Sequence, residues 1–196
     1  RSRSRVLGCG LMAADNVVVD LQSVITHLKT HTFVIGDRIG ITGFCMGGTI
    51  AFMSACKFPT DIKAAVPFYG GSIADDAPTA PLNAAGDLQA PILCLFGEKD
   101  PYIPPSQVKK IEDRLRTLGK SFEVKIYADA DHGFFCDERA SYHPEAAQDA
   151  WQKTKADHPP AGKLVAVAEE QLAELADFIR REGIVSLPEG APVTVR

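Results

Sequence analysis

The chain has 196 residues, 45% hydrophobic and 23% charged, which fits one ordinary globular domain with a core of fair size and excludes a collagen-like or wholly disordered chain. Its 21 Lys and Arg against 25 Asp and Glu leave a net charge of −4, so no overall basic field exists to draw in nucleic acid or an anionic membrane. No stretch approaches the roughly 18 continuous apolar residues that span a bilayer, and the 5 cysteines, odd in number and without a Cys-x-x-Cys pair, speak against a disulfide framework and fit a reducing cytoplasm.

The chain opens on Arg1, Arg3 and Arg5, read as a frayed terminus without function. The apolar run Val6 to Ala14 copies a signal peptide only faintly, lacking a small-x-small cleavage site before Asp15, so the chain is read as unexported. From Asp15, Val17, Leu21, Val24, Ile25 and Leu28 form one stripe of an amphipathic helix, with Asp15 or Asn16 as its cap. Arg38 to Gly43 is short, partly β-branched and ends in Gly, as a strand buried in a parallel sheet would. A helix follows from about Met46 to Lys57, closed by Pro59.

The same beat repeats with strands at Ala64 to Tyr69, Pro91 to Phe96 and Phe122 to Tyr127 and a helix at Pro105 to Leu118, where Gly119 takes the C-cap place. Strands alternating with helices mean an α/β fold with a mostly parallel sheet flanked by helices. The long segment Gly70 to Ala90 is expected as a loop walling the entrance to a site. Ser141 and Pro144 open another helix, with Ala147, Ala150, Trp151 and Thr154 on one face. Residues 155–163 read as a Pro- and Gly-bearing linker, and a last helix is expected from about Leu164 to Glu182.

Chemistry concentrates in three places. Ile41-Thr-Gly43-Phe44-Cys45-Met46-Gly47-Gly48 is a strand, then Gly-x-Cys-x-Gly, then a helix: a nucleophile elbow with Cys in the usual Ser place, where the sharp turn accounts for Gly43 and Gly47. At a helix N-terminus Cys45 is favoured as thiolate, and the Met46 N–H is the candidate oxyanion donor. Asp100 and His132 each follow a strand's C-terminal end, so all three residues fall on one sheet edge in the order nucleophile, acid, histidine. Each has a plainer reading, as a buried Cys, a turn-starting Asp and a loop His. Glu98 and Asp131 are rival acids, and His143 and His158 rival bases. A metal site at His132, Cys136 and His143 can be written down, but the plain reading is preferred there.

At these residues the chain resembles the dienelactone hydrolase family of α/β hydrolases. The resemblance rests on Gly43-Phe44-Cys45-Met46-Gly47-Gly48, Phe96-Gly97-Glu98-Lys99-Asp100, and His132 to Tyr142 with Ala147 to Trp151, and covers about Met12 to Thr154. It implies a partial α/β-hydrolase fold over 1–154, with the family's N-terminal strands missing and 164–196 of unclear origin. It also implies Cys45 as nucleophile, His132 as proton shuttle and Asp100 as its orienting acid, acting on lactones or other small esters through a thioester without metal or organic cofactor. Candidate substrate contacts are Phe44, Tyr69, Tyr102, Phe134 and Arg139. The last stands in for family arginines that are not matched, since Cys136 occupies the position four after His132. The family's second oxyanion N–H and a glutamate that influences the nucleophile have no counterpart here.

Partners are accordingly a small lactone or ester substrate, with no nucleic acid and no membrane. The chain is expected as a monomer if intact, with an oligomer open through an exposed sheet edge at Ile39 and Ile41. The alternative function is a non-catalytic remnant of such a hydrolase that packs against another chain. A thiol redox role for Cys45 is disfavoured because no resolving Cys is near it in sequence.

Overall fold

The computed structural model describes residues 14–32 and 34–156. Arg1, Arg3, Arg5, the run from Val6, Cys9, His158, most of the expected linker and the expected helix at 164–182 lie outside the described residues.

The described residues form four strands and four α-helices, in the order α1 Ala14–Leu28, β1 Ile39–Phe44, α2 Met46–Lys57, β2 Ile62–Phe68, β3 Ile92–Gly97, α3 Pro105–Thr117, β4 Phe122–Tyr127 and α4 Pro144–Ala156. The strands form one parallel sheet in the order β1-β2-β3-β4. Because each crossover advances one strand in the same direction, right-handed connections put α2 and α3 on one face. A 3-10 helix, Pro81–Asp87, packs between them, touching both.

Burial follows position in the sheet. All six residues of β3 are buried, β2 is buried except at Lys63, and β4 is half-exposed along most of its length. Among the described residues β1 is the other edge, with Ile39 buried, Ile41 half-buried and Gly40 and Thr42 exposed. That edge position explains why β1 does not show the two-sided burial its sequence suggests. The core runs through Phe52, Phe68, Ile92, Leu93, Leu95, Phe96, Ile111 and Leu115, each with less than 2% of its surface exposed.

Four expectations change. In α1 Ile25 is buried and Val18, Leu21 and Leu28 are partly buried beside it, while Val24 is 52% exposed; the 3-4-3 spacing of this stripe turns Val24 away from the core. Asp15 and Asn16 lie within the helix, which is described from Ala14, instead of capping it. The segment Gly70 to Ala90, expected as a loop walling the entrance to a site, instead contains the 3-10 helix and packs into the core. Ile73, Ala85 and Leu88 are at most 1% exposed, Leu82 N–H donates to Ile73 O at 3.0 Å, and Gln107 and Lys110 of α3 hold Asp75 and Asp76. Burying these aliphatic side chains stabilises a fixed course that the Pro, Gly and Asp density conceals. Finally, α4 continues through Lys155 and Ala156, so the expected linker does not start at 155. Among the described residues no helix is long and apolar enough to cross a membrane.

Candidate active site

Cys45 stands between β1 and α2 with φ 56° and ψ −120°, a conformation L-residues rarely adopt, worth about 1–3 kcal/mol of strain. Neighbouring hydrogen bonds over-determine it. Cys45 N–H donates to Phe68 O at 3.1 Å, and Cys45 O accepts from Gly48 N–H at 2.9 Å and Thr49 N–H at 3.2 Å. The turn works only if α2 lies very close to β1. A Cβ on Gly43 would sit 2.1 Å from Gly47 O, and one on Gly48 would sit 2.4 Å from Phe68 O. At Gly47, where the sequence motif suggested the same need, nothing described lies within 4 Å of that Cβ position. Gly48, not Gly47, is the second glycine that packing requires.

The elbow leaves the thiol exposed above the carboxyl ends of the strands. Asp100 follows β3, and its side chain is fully buried. Its Oδ1 accepts from Tyr102 N–H at 2.9 Å, and its Oδ2 lies 2.7 Å from His132 Nδ1. On the far side of the ring, His132 Nε2 lies 3.1 Å from Cys45 Sγ. With a carboxylate accepting at Nδ1, the proton on that nitrogen is held, and Nε2 either accepts from the thiol or, once protonated, faces a thiolate. These three side chains from three strand ends form one chain of hydrogen bonds.

The rivals are engaged elsewhere. Glu98 accepts from Asp129 N–H at 3.2 Å, Asp131 accepts from the His132 backbone N–H, and His143 Nδ1 accepts from Ala146 N–H at 3.3 Å in the first turn of α4. Among the described residues no group of three or more His, Cys, Asp or Glu side chains is placed to hold a metal ion, and Cys136 and His143 therefore do not join His132 in one.

Beside Cys45 opens a cleft of about 830 Å³, large enough for a small organic ligand. Phe44, Tyr69 and Arg139, expected at the substrate, line it. Phe44 stacks on Phe135 with ring centroids 5.2 Å apart, and Trp151 of α4 stands behind Phe135 at 6.3 Å. Tyr102 is 70% exposed and packs its ring edge-on to His132 at 5.1 Å, outside the cleft lining. Phe134 is the correction: it is wholly buried against Phe68, Tyr69 and Tyr127, and its neighbour Phe135 faces the cleft instead. Consecutive aromatic residues in a turn point opposite ways, and no local pattern says which one faces inward.

Cys136, Tyr142, Gln148 and Trp151 also line the cleft and were not expected as site residues. The sequence places Trp151 on one face of α4 with Ala147 and Ala150, a signal that does not distinguish a cleft wall from core packing. Tyr69 is 4% exposed, and burial, with smaller contributions from Cys136 and Cys45, pushes its phenol up to about 12.

The profile of the dienelactone hydrolase family matches residues 5–156. A Synechocystis sp. protein named as a carboxymethylenebutenolidase is 40% identical over 142 residues, covering 71% of this chain and 57% of its own length. A Bradyrhizobium sp. protein named as a 2-oxo-3-(5-oxofuran-2-ylidene)propanoate lactonase is 39% identical over 142 residues, covering 70% and 56%. The crystal structure of a Klebsiella pneumoniae protein named as a dienelactone hydrolase superposes with a TM-score of 0.68 at 38% identity, covering 73% of this chain and 60% of that one. A dienelactone hydrolase-like promiscuous phosphotriesterase from metagenomic libraries shares the fold, with a TM-score of 0.63 at 23% identity over 71% of this chain and 59% of its own. The chain spans about half the length of the curated relatives it matches.

Proposed function

The chain belongs to the dienelactone hydrolase family, and from that premise we propose that it hydrolyses a lactone or small carboxylic ester through a Cys-His-Asp triad and a thioester intermediate. Cys45 Sγ attacks the carbonyl carbon while His132 Nε2 takes or already holds the thiol proton. The carbonyl oxygen becomes an oxyanion facing the Met46 N–H, which as the first residue of α2 has no acceptor within the helix. The C–O bond then breaks, the leaving oxygen takes the proton from His132, and the acyl group stays on sulfur. A water deprotonated by His132 attacks the thioester, releasing the acid and returning the thiol. Asp100 keeps its charge throughout and holds the ring in the productive tautomer.

A thiolate nucleophile suits these substrates because an alkoxide or enolate leaves without the strong protonation an amide nitrogen demands. Arg139 lines the same cleft, and we assign it and the aromatic wall of Phe44 and Phe135 to binding the body of the substrate. Four described cysteines are free thiols, which fits work in a reducing compartment. The family match does not favour the alternative of a non-catalytic remnant.

The single observation that carries the reading is the continuous contact from Cys45 Sγ at 3.1 Å to His132 and on at 2.7 Å to Asp100. Its test is the Cys45→Ala variant in a single-turnover assay with lactone and aryl-ester substrates. Hydrolysis should fall to background, and acyl-enzyme seen by mass spectrometry on the parent protein should vanish. An undiminished rate overturns the reading.

A further inference from the structure

A buried polar group with no hydrogen-bond partner among the described residues stands in the cleft wall. Tyr69 follows β2 with φ 36°, its N–H fixed to Leu95 O at 2.7 Å, and only 4% of its surface is exposed. Among the described residues its hydroxyl makes no hydrogen bond, although buried phenols almost always find one. Leaving such a donor unpaired costs about 1–3 kcal/mol, so a partner arriving with the substrate would recover that cost at the moment of binding or reaction.

Its place in the sheet says which substrate atom it would meet. Tyr69 follows β2, which lies between β1, followed by Cys45, and β3, after which Asp100 comes. Its ring packs edge-on to the His132 imidazole, with centroids 5.1 Å apart and an angle of 64°. The carbonyl oxygen of an ester on Cys45 turns toward the N-terminus of α2. The other ester oxygen must come to His132 to receive a proton, and the Tyr69 ring borders that place, since it packs on the imidazole and lines the same cleft.

We propose that the Tyr69 hydroxyl donates a hydrogen bond to the leaving oxygen of the substrate as the C–O bond breaks, assisting the proton transfer from His132. This rests on the triad reading of the site. Tyr69 keeps its own proton: the bond that breaks is acyl carbon to oxygen, the proton delivered is the one on His132 Nε2, and the phenol stabilises the charge that develops in between. A phenol raised to about 12 by its burial stays protonated over any assay pH, as a donor must.

The test is Tyr69→Phe, which removes the hydroxyl and leaves the ring that packs on His132 and Phe134. kcat/KM reports acylation, so a series of acetate esters with phenol and alkyl leaving groups of graded pKa isolates the step. The variant should lose roughly ten- to hundredfold on alkyl esters, the worth of one hydrogen bond to a developing charge, and almost nothing on p-nitrophenyl acetate. The dependence of rate on leaving-group pKa should steepen accordingly. The alkylation rate of Cys45 by iodoacetamide, which has no leaving oxygen to assist, should be unchanged. An equal fall across the series, or no fall, overturns the proposal. Cys45→Ala measured alongside separates this from failure of the triad reading, since loss of hydrolysis there with no leaving-group effect in Tyr69→Phe removes only the role of Tyr69.

Discussion

The carboxylate of Asp100 is wholly removed from solvent, yet each of its oxygens has a partner, Tyr102 N–H at 2.9 Å and His132 Nδ1 at 2.7 Å. A buried carboxylate so satisfied orients the imidazole firmly, because any rotation of either group breaks a hydrogen bond in a low-dielectric setting. Asp100→Asn retains an acceptor for Tyr102 and nearly the same volume but loses the charge that favours imidazolium. Ester hydrolysis by this variant should fall by about 10²–10⁴-fold, with a thermal midpoint close to that of the parent; a kcat/KM within a few-fold of the parent would take Asp100 out of the mechanism. At this same scale the sequence was most informative. Cys45, Asp100 and His132 each follow a strand, and strand ends of a parallel sheet share one edge whatever the details of packing. Whether the true acid was Asp100 or its rivals Glu98 and Asp131 was decided by loop conformation, which turns those two carboxylates toward the backbone N–H groups of Asp129 and His132.

Among elements, the β1–α2 elbow shows what a motif can and cannot tell. Gly-x-Cys-x-Gly predicts a tight turn with Gly43 and Gly47 as its requirements, but the contact that matters runs from Gly43 to the backbone of Gly47 and from Gly48 to Phe68 O. Gly43→Ala should therefore destabilise by about 2 kcal/mol or more, as backbone clashes do, while Gly47→Ala, inside a helix and with open space around its Cβ, should be neutral or slightly stabilising. Thermal melts of the two variants check this, and equal shifts would contradict the close approach. The segment from Gly70 to Ala90 is the converse case. It has no helical or strand periodicity to read, and its order comes from Ile73, Leu82, Ala85 and Leu88 packing into the space between α2 and α3.

For the molecule as a whole, two thiols report on the integrity of the core. Cys56 on α2 and Cys94 on β3 are at most 1% exposed. Burial pushes Cys56 up to about 12, with Asp87 adding to the effect, and raises Cys94 further, with Cys56 adding to it. At neutral pH, iodoacetamide followed by peptide mapping should find Cys45 alkylated and Cys56 and Cys94 protected until denaturant unfolds the chain. The sign of the linkage is also set. Above pH 9.0, the ordinary value for these thiols, the unfolded chain releases protons that the native core retains. Stability should then fall by about 1.4 kcal/mol per pH unit for each such thiol. Denaturant midpoints that do not move between pH 9 and pH 10.5 would show that the two thiols are not held in the core as described.

By itself the sequence determined the alternation of strands and helices, the parallel sheet, and the three residues at its carboxyl edge, because periodicity, capping residues and the Gly-flanked Cys are local signals carried by a few neighbouring positions. The tertiary structure alone decided that Asp100 is the carboxylate that reaches His132, that Phe135 and not Phe134 faces the cleft, that Trp151 joins its wall, and that Tyr69 is buried there with no hydroxyl partner among the described residues. Those outcomes depend on side chains from separate strands and loops competing for the same space and the same hydrogen-bond donors, and such competition leaves no trace in the order of residues along the chain.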